Sequence, residues 1–240
     1  MDGAQIYLVT GGCGFIGEKI TELLSQQDYI KEVRVFDSVA RKEVEKFATA
    51  TTHVTVMKGD IRDYNLLLAA MQGVHVVIHT AAIVDCRNML PFWEMKAVNV
   101  GGTENVLRAC CALNIPYVVY TSSIAAVGPN ILHEPMLRGN EDTKYSGEVE
   151  LPYGKTKAIA ERLVLEANGK KGEAEMKHRG DRCECPYWSR ARMNTDKDTC
   201  YFLELPALPQ CDPWRLLEEL SGLESGFPFI FHPAVFPCVR

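Results

Sequence analysis

No stretch of this chain holds the roughly 18–20 uninterrupted apolar residues that cross a bilayer as a helix. A membrane span is therefore not expected, although peripheral attachment is compatible with the sequence. Charge of one sign is scarce as well, since 26 Lys and Arg against 31 Asp and Glu leave a net charge of −5. So mild a surplus gives no electrostatic reason to expect nucleic acid or an anionic lipid surface as a partner. A strand-like run already begins at Gln5, which leaves no room for a charged leader and an apolar segment after it. The nine cysteines are scattered, several inside apolar runs, so reduced intracellular thiols are expected rather than a disulfide framework. His178, Cys183, Cys185, Cys200 and Cys211 fit no common zinc spacing, and no metal is assigned.

What is present is a regular alternation. With 240 residues, 47% of them apolar, the chain can build one sizeable core with an appendage. Short Val-, Ile- and Tyr-rich runs predict strands at Gln5–Thr10, Glu32–Asp37, His53–Lys58, His75–His79 and Tyr117–Thr121. Between and after them, helical spacing runs over Phe15–Gln27, Asp63–Met71, Met95–Leu113 and Pro152–Asn168. This order predicts an α/β fold, a doubly wound parallel sheet of Rossmann-like type, with ligands at the carboxyl ends of its strands.

No sixth strand is expected after the last helix. Beyond Lys171 the texture becomes polar and then rich in Pro and Cys, with no steady period. The expected division is a nucleotide-binding catalytic domain over 1–171 and an irregular tail over 172–240. Within the tail, Asp212 to Gly222 has the pattern of a short capped helix, and Phe227–Phe231 is an apolar run broken by Pro228. A sheet ending openly at its fifth strand predicts low solubility.

The first chemical motif is Thr10-Gly11-Gly12-Cys13-Gly14-Phe15-Ile16-Gly17, between a strand and a helix. Glycines at 11, 14 and 17 permit a tight turn, close approach to a pyrophosphate and close packing of helix on strand. The helix N-terminus adds free N–H groups and a positive dipole end. An acid about 20 residues on completes the pattern, and Asp37 takes that place. Its carboxylate can accept both hydroxyls of the adenosine ribose and repel a 2′-phosphate, which favours NAD over NADP. Arg41 and Lys42 pull the other way, because a basic pair accommodates a phosphate. Asp60, in Gly59-Asp60-Ile61, can accept from an adenine amino group, and the small residues Ala81 and Ala82 let backbone lie close to a flat ligand.

Ser123, Tyr153 and Lys157 form the second constellation. Ser123 follows the fifth strand, and Tyr153 and Lys157 lie four apart and so share a helix face. Oxidising a secondary alcohol requires removal of its hydroxyl proton as hydride leaves. Lowering a tyrosine from about 10 to about 7 takes ~4 kcal/mol. An ammonium about 4 Å away supplies ~4 kcal/mol at an effective dielectric of about 20. Tyr153 is thus the candidate base, Lys157 its tuner and a ribose ligand, and Ser123 the holder of the substrate oxygen. Asn99 either holds a water or kink near Lys157 or is an ordinary polar helix residue.

These residues, with His79-Thr80-Ala81-Ala82, Val98-Asn99-Val100 and Tyr120-Thr121-Ser122-Ser123, resemble the extended short-chain dehydrogenases/reductases. Val127-Gly128-Pro129-Asn130, Arg138-Gly139-Asn140-Glu141-Asp142-Thr143 and Leu165-Glu166-Ala167-Asn168-Gly169 narrow the resemblance to the 3β-hydroxysteroid dehydrogenase/Δ5-isomerase family. It covers about residues 5–171. It implies NAD-dependent oxidation of a 3β-hydroxy-Δ5-steroid, in its most similar branch a C27 sterol, to the 3-oxo-Δ4 steroid. It also implies a place at the endoplasmic reticulum membrane and is compatible with a homo-oligomer. The catalytic residues it implies are Tyr153, Lys157 and Ser123. The cofactor set is Gly11, Gly14, Phe15, Ile16, Gly17, Asp37, Asp60, Ile61, Ala81, Tyr153 and Lys157. Residues 172–240 do not resemble the family's continuation, which suggests an alternative or frame-shifted carboxyl end and a trio without its sterol pocket. Two other readings stay open: a nucleotide-binding variant without catalysis that pairs with a full-length subunit, and an extended-family enzyme on another substrate, such as a nucleotide-sugar epimerase. The Arg138–Thr143 stretch argues against the latter.

Overall fold

The computed structural model describes residues 5–85, 87–128 and 148–168, and the backbone of 231–235. Strands β1 (Gln5–Thr10), β2 (Ile30–Asp37), β3 (His53–Lys58), β4 (Val76–His79) and β5 (Tyr117–Thr121) are parallel and lie in the order β3-β2-β1-β4-β5. Alternate residues of each strand enter different cores, as the pleat requires. On β1, Tyr7 and Val9 face α1 (Phe15–Ser25), where Ile20 and Leu24 pack with Val35, Ile78 and Val119. Leu8 points the other way, into a layer with Leu67, Val106, Ala160 and Val164. Those four belong to α2 (Tyr64–Ala70), α4 (Thr103–Leu113) and α5 (Pro152–Ala167). Burying each large aliphatic contributes ~1.5–3 kcal/mol, so the continuous apolar strands are explained by helices on both faces.

The helix expected over Met95–Leu113 is instead three pieces. Helix α3 (Phe92–Lys96) passes into a π-helical segment, Ala97–Gly102, and then into α4. Gly102 lies directly against the Ile61 side chain, where any Cβ would collide. The Thr103 hydroxyl donates back to the Asn99 carbonyl at 2.7 Å. The wider turn thus accommodates a close contact and a side-chain clamp that the apolar period does not register.

The absence of a sixth strand is also corrected. Phe231–Val235 forms β6, antiparallel to β5, with Tyr117 opposite Val235 and Thr121 opposite Phe231. The outer edge of β5 offers a row of backbone groups that any extended segment can satisfy. An edge strand tolerates Pro233, and prolines at 228, 233 and 237 conceal the strand pattern in the sequence. The open edge behind the low-solubility expectation is therefore paired. The Asp212–Gly222 helix, the tail cysteines and the Arg138–Thr143 stretch lie outside the described residues. Among the described residues no helix is long and apolar enough to cross a membrane, and Cys13, Cys110 and Cys111 are free thiols.

Candidate active site

Strand order reverses between β1 and β4, and at their carboxyl ends a cleft of about 470 Å³ opens. Gly11, Gly14, Asp37, Asp60, Ile61, Ala81 and Val98 are among its walls. Gly11 has φ +70°, and a Cβ on it would stand 2.7 Å from the Ala81 Cα. Gly17 seats α1 on the turn, since a Cβ there would strike the Gly11 carbonyl and lie 2.5 Å from the Gly12 Cα. Gly14 caps α1 without a side chain, leaving the first-turn dipole end for an anion. Phe15 turns its ring outward, 66% exposed, and Ile16 is half-buried. This backbone cradle, which Cβ atoms would fill, fits a dinucleotide.

The Asp37 carboxylate accepts from the Cys13 N–H at 3.0 Å through one oxygen and from the Val39 N–H at 2.9 Å through the other. Each oxygen keeps a second acceptor direction, which suits a vicinal diol. The guanidinium of Arg41 is committed to the Cys13 carbonyl and to Glu18 at 3.0 Å, while Lys42 is exposed at the start of a 3-10 turn, Lys42–Phe47. Asp60 lines the cleft with its carboxylate engaged by Arg62, at 2.9 Å from the backbone N–H and 3.0 Å from Nε. Those bonds hold Asp60 below the ordinary carboxylate range. Ile61 is buried, and its carbonyl accepts from Asn105 Nδ2 at 3.0 Å, a brace from α4 that sequence reasoning missed.

Helix α5 begins with Pro152 at its first turn, where a missing N–H costs nothing. Tyr153 and Lys157 are 5% and 3% exposed. Gly154 packs against the Ala125 carbonyl, so this turn of α5 lies on the short 3-10 turn Ile124–Ala126. Ser123 caps that turn, its Oγ accepting from the Ala125 N–H at 3.2 Å. Lys157 Nζ donates to the Thr121 carbonyl at 2.6 Å and lies 4.3 Å from the centre of the Tyr120 ring. Burial pulls this lysine down to about 7, against the opposing pull of Glu161.

A directed chain of hydrogen bonds joins the cleft to α5. The Thr103 hydroxyl gives its proton to Asn99, so it accepts from His79 Nε2 at 2.9 Å. His79 Nδ1 then accepts from the Thr10 hydroxyl at 2.7 Å. Full burial, followed by the charge of Lys157, takes His79 down to about 3, so the ring is neutral. Asn99 clamps both backbone groups of Ile83, at 2.7 and 2.9 Å, and donates to the Thr156 hydroxyl at 2.9 Å, which donates to the Tyr153 carbonyl at 2.7 Å. Asn99 is thus a clamp inside a π-helical kink and not an ordinary polar residue. The turn of α5 that carries Tyr153 and Lys157 lies on the segment that carries Ser123, and none of the three is among the walls of the cleft, to which Asn99 is the link. Asn99→Ala leaves buried polar groups of Ile83 unpaired and is expected to cost about 2–4 kcal/mol, read as a lowered denaturation midpoint. His79, Thr156 and Glu161 were given no role from sequence. The spacing of Glu161, four beyond Lys157, was the available signal.

The fold is thus a Rossmann-like nucleotide-binding sheet with a Tyr/Lys helix beside its cleft. The profile of the 3-beta hydroxysteroid dehydrogenase/isomerase family matches residues 8–181, and the chain belongs to that family. It is 47% identical over 175 residues to the mouse 3 beta-hydroxysteroid dehydrogenase type 7, covering 71% of this chain and 47% of the mouse protein. The human protein of the same name is 46% identical over 175 residues, with the same coverages of 71% and 47%. The chain therefore spans about half the length of the curated relatives it matches. Among solved structures it resembles Pen from Bacillus thuringiensis, at 30% identity and TM-score 0.51, over 69% of this chain and 45% of that one. It shares its fold with the NAD complex of dTDP-glucose 4,6-dehydratase from Bacillus anthracis, at 24% identity and TM-score 0.55, over 68% and 50% of the two chains.

Proposed function

We propose that this chain binds NAD in the cleft and uses Tyr153, Lys157 and Ser123 to oxidise the 3β-hydroxyl of a 3β-hydroxy-Δ5-steroid, of the C27 sterol class, to the ketone, which becomes the 3-oxo-Δ4 steroid by a separate transfer of a proton from C4 to C6. One observation carries the reading. A buried lysine, one turn beyond Tyr153, is anchored at 2.6 Å to the end of β5, two residues before Ser123. NAD, when bound, supplies the hydride acceptor. Tyr153 takes the proton of the substrate hydroxyl, the Lys157 ammonium stabilises the phenolate, and the Ser123 hydroxyl holds the substrate oxygen. The names of the relatives support the steroid class. Contact with the endoplasmic reticulum membrane and pairing with a second copy belong to the same reading.

The test is NADH formation by the purified chain with NAD and a panel of 3β-hydroxysteroids, followed by absorbance. Turnover that disappears in Tyr153→Phe supports the reading. NAD binding without NADH from any 3β-hydroxysteroid overturns it. That result would favour a second reading, a nucleotide-binding variant without catalysis.

The cofactor assignment has its own check. Asp37→Ala removes two charge-assisted acceptors for a ribose diol, each worth ~1.5–3 kcal/mol. The expected loss in NAD affinity by calorimetry is at least tenfold, with a smaller loss for NADP. Equal losses for both would remove Asp37 from the discrimination.

A further inference from the structure

We propose that Glu161 is a positioning residue for the Tyr153–Lys157 pair: four residues beyond Lys157 on α5, it grips the Ser122 hydroxyl while Lys157 grips the Thr121 carbonyl, and its carboxylate is the countercharge that keeps the lysine an ammonium. This assignment rests on the catalytic reading of that pair and deepens it.

The geometry is a double hold. Two side chains from successive turns of α5 seize consecutive residues at the end of β5, and the next residue is Ser123. A carboxylate has no proton to give, so the buried Ser122 hydroxyl donates to Glu161 in a charge-assisted bond. That bond fixes the carboxylate on the face that carries Lys157.

The other groups around Lys157 do not replace this charge. From β4 comes His79, which is neutral, and from β5 comes Tyr120, whose phenol burial pushes further up. Tyr153 shares α5. Helices α3 and α4, packed against α5, carry Glu94, Lys96, Glu104 and Arg108. Among the charged groups of the described residues, Glu161 is the one that acts to keep Lys157 protonated, against burial, which lowers it.

The test reads the lysine directly, in the chain without cofactor. Lysine is labelled with carbon-13 at Cε, the Lys157 resonance is assigned by its loss in Lys157→Met, and its pH titration is followed by NMR. The wild-type midpoint is expected near 7. Removing a countercharge in Glu161→Gln should lower it by about one pH unit. Glu161→Asp, which keeps the charge, should return it most of the way, and Ser122→Ala should leave the downward shift smaller than in Glu161→Gln. A midpoint that does not move in Glu161→Gln overturns the proposal.

Turnover gives a second reading. A midpoint one unit lower reduces the protonated fraction at pH 7 about fivefold, so the loss of kcat should be about fivefold at pH 7 and shrink towards pH 6. A loss of equal size at every pH overturns the role of the charge. A shifted lysine in a chain without steroid turnover would leave the Glu161 assignment standing and remove the proposed function.

Discussion

Lys157→Met is expected to abolish turnover and, in the chain without cofactor, to raise thermal stability. The lysine is held down from 10.5 to about 7, chiefly by burial. At ~1.4 kcal/mol per pKa unit, its charged form costs the fold on the order of 4 kcal/mol at neutral pH. Methionine has a similar length and no charge to desolvate. It loses the bond to the Thr121 carbonyl and the contact with the Tyr120 ring, which together offset about half of that gain by the usual worth of such contacts, ~1–2 kcal/mol. A net rise of about 2 kcal/mol corresponds to roughly 4–8 °C for a chain of this size.

The pH dependence carries the sign. The unfolded chain takes up a proton below about 10.5 while the folded lysine waits until about 7, so the wild type loses stability as pH falls through that window and no more below it. The gap between variant and wild type should be full below pH 7, narrow as pH rises, close at about pH 9, and change sign above it, where the cost of the charge has gone and the bond to the Thr121 carbonyl remains. Melts of both proteins across that range decide it; a gap independent of pH would mean that packing, not charge, sets the difference. Turnover should fall by at least 10²-fold in the variant, the lower end of what a positioned acid–base group contributes.

Gly17→Ala is expected to abolish NAD binding and to destabilise the chain by about 3 kcal/mol or more, because only backbone movement relieves the clash. The new methyl meets the Gly11 carbonyl and stands 2.5 Å from the Gly12 Cα. Relief requires α1 to lift from the end of β1, which moves the amides that face the cleft. Gly73→Ala is the control. Its backbone is left-handed, φ +72°, where that of Gly17 is helical, and nothing lies within 4 Å of the added methyl, so it should cost only ~1–2 kcal/mol of conformational strain and leave NAD binding intact. Calorimetric titration with NAD and melts of the two variants separate them. Equal loss of binding in both would mean that general destabilisation, not the glycine turn, is responsible.

Much of this architecture is written in local pattern. The parallel strands are short apolar runs because helices cover both of their faces, and the runs at Gln5–Thr10, His53–Lys58 and Tyr117–Thr121 end where the sequence places them. Asp63 as a helix cap is equally local, its carboxylate accepting from the Asn65 and Leu66 amides at 3.1 Å. The glycine turn and the Tyr153–Lys157 spacing are legible for the same reason, since each depends on residues within one or two turns of chain.

What the sequence alone determined, then, is the family, the five-stranded parallel core and the chemical types at the candidate site. The tertiary structure decided what depends on partners distant in the chain. It placed Asn99 between Ile83 and Thr156, set His79 between two threonines, and brought Glu161 to Ser122 across 39 residues. It also laid Phe231–Val235 along β5, where a proline-broken pattern gives no strand signal. Periodicity records which face of an element is buried; it carries no information about which polar atom, many residues away, will satisfy a buried donor or lend it a charge.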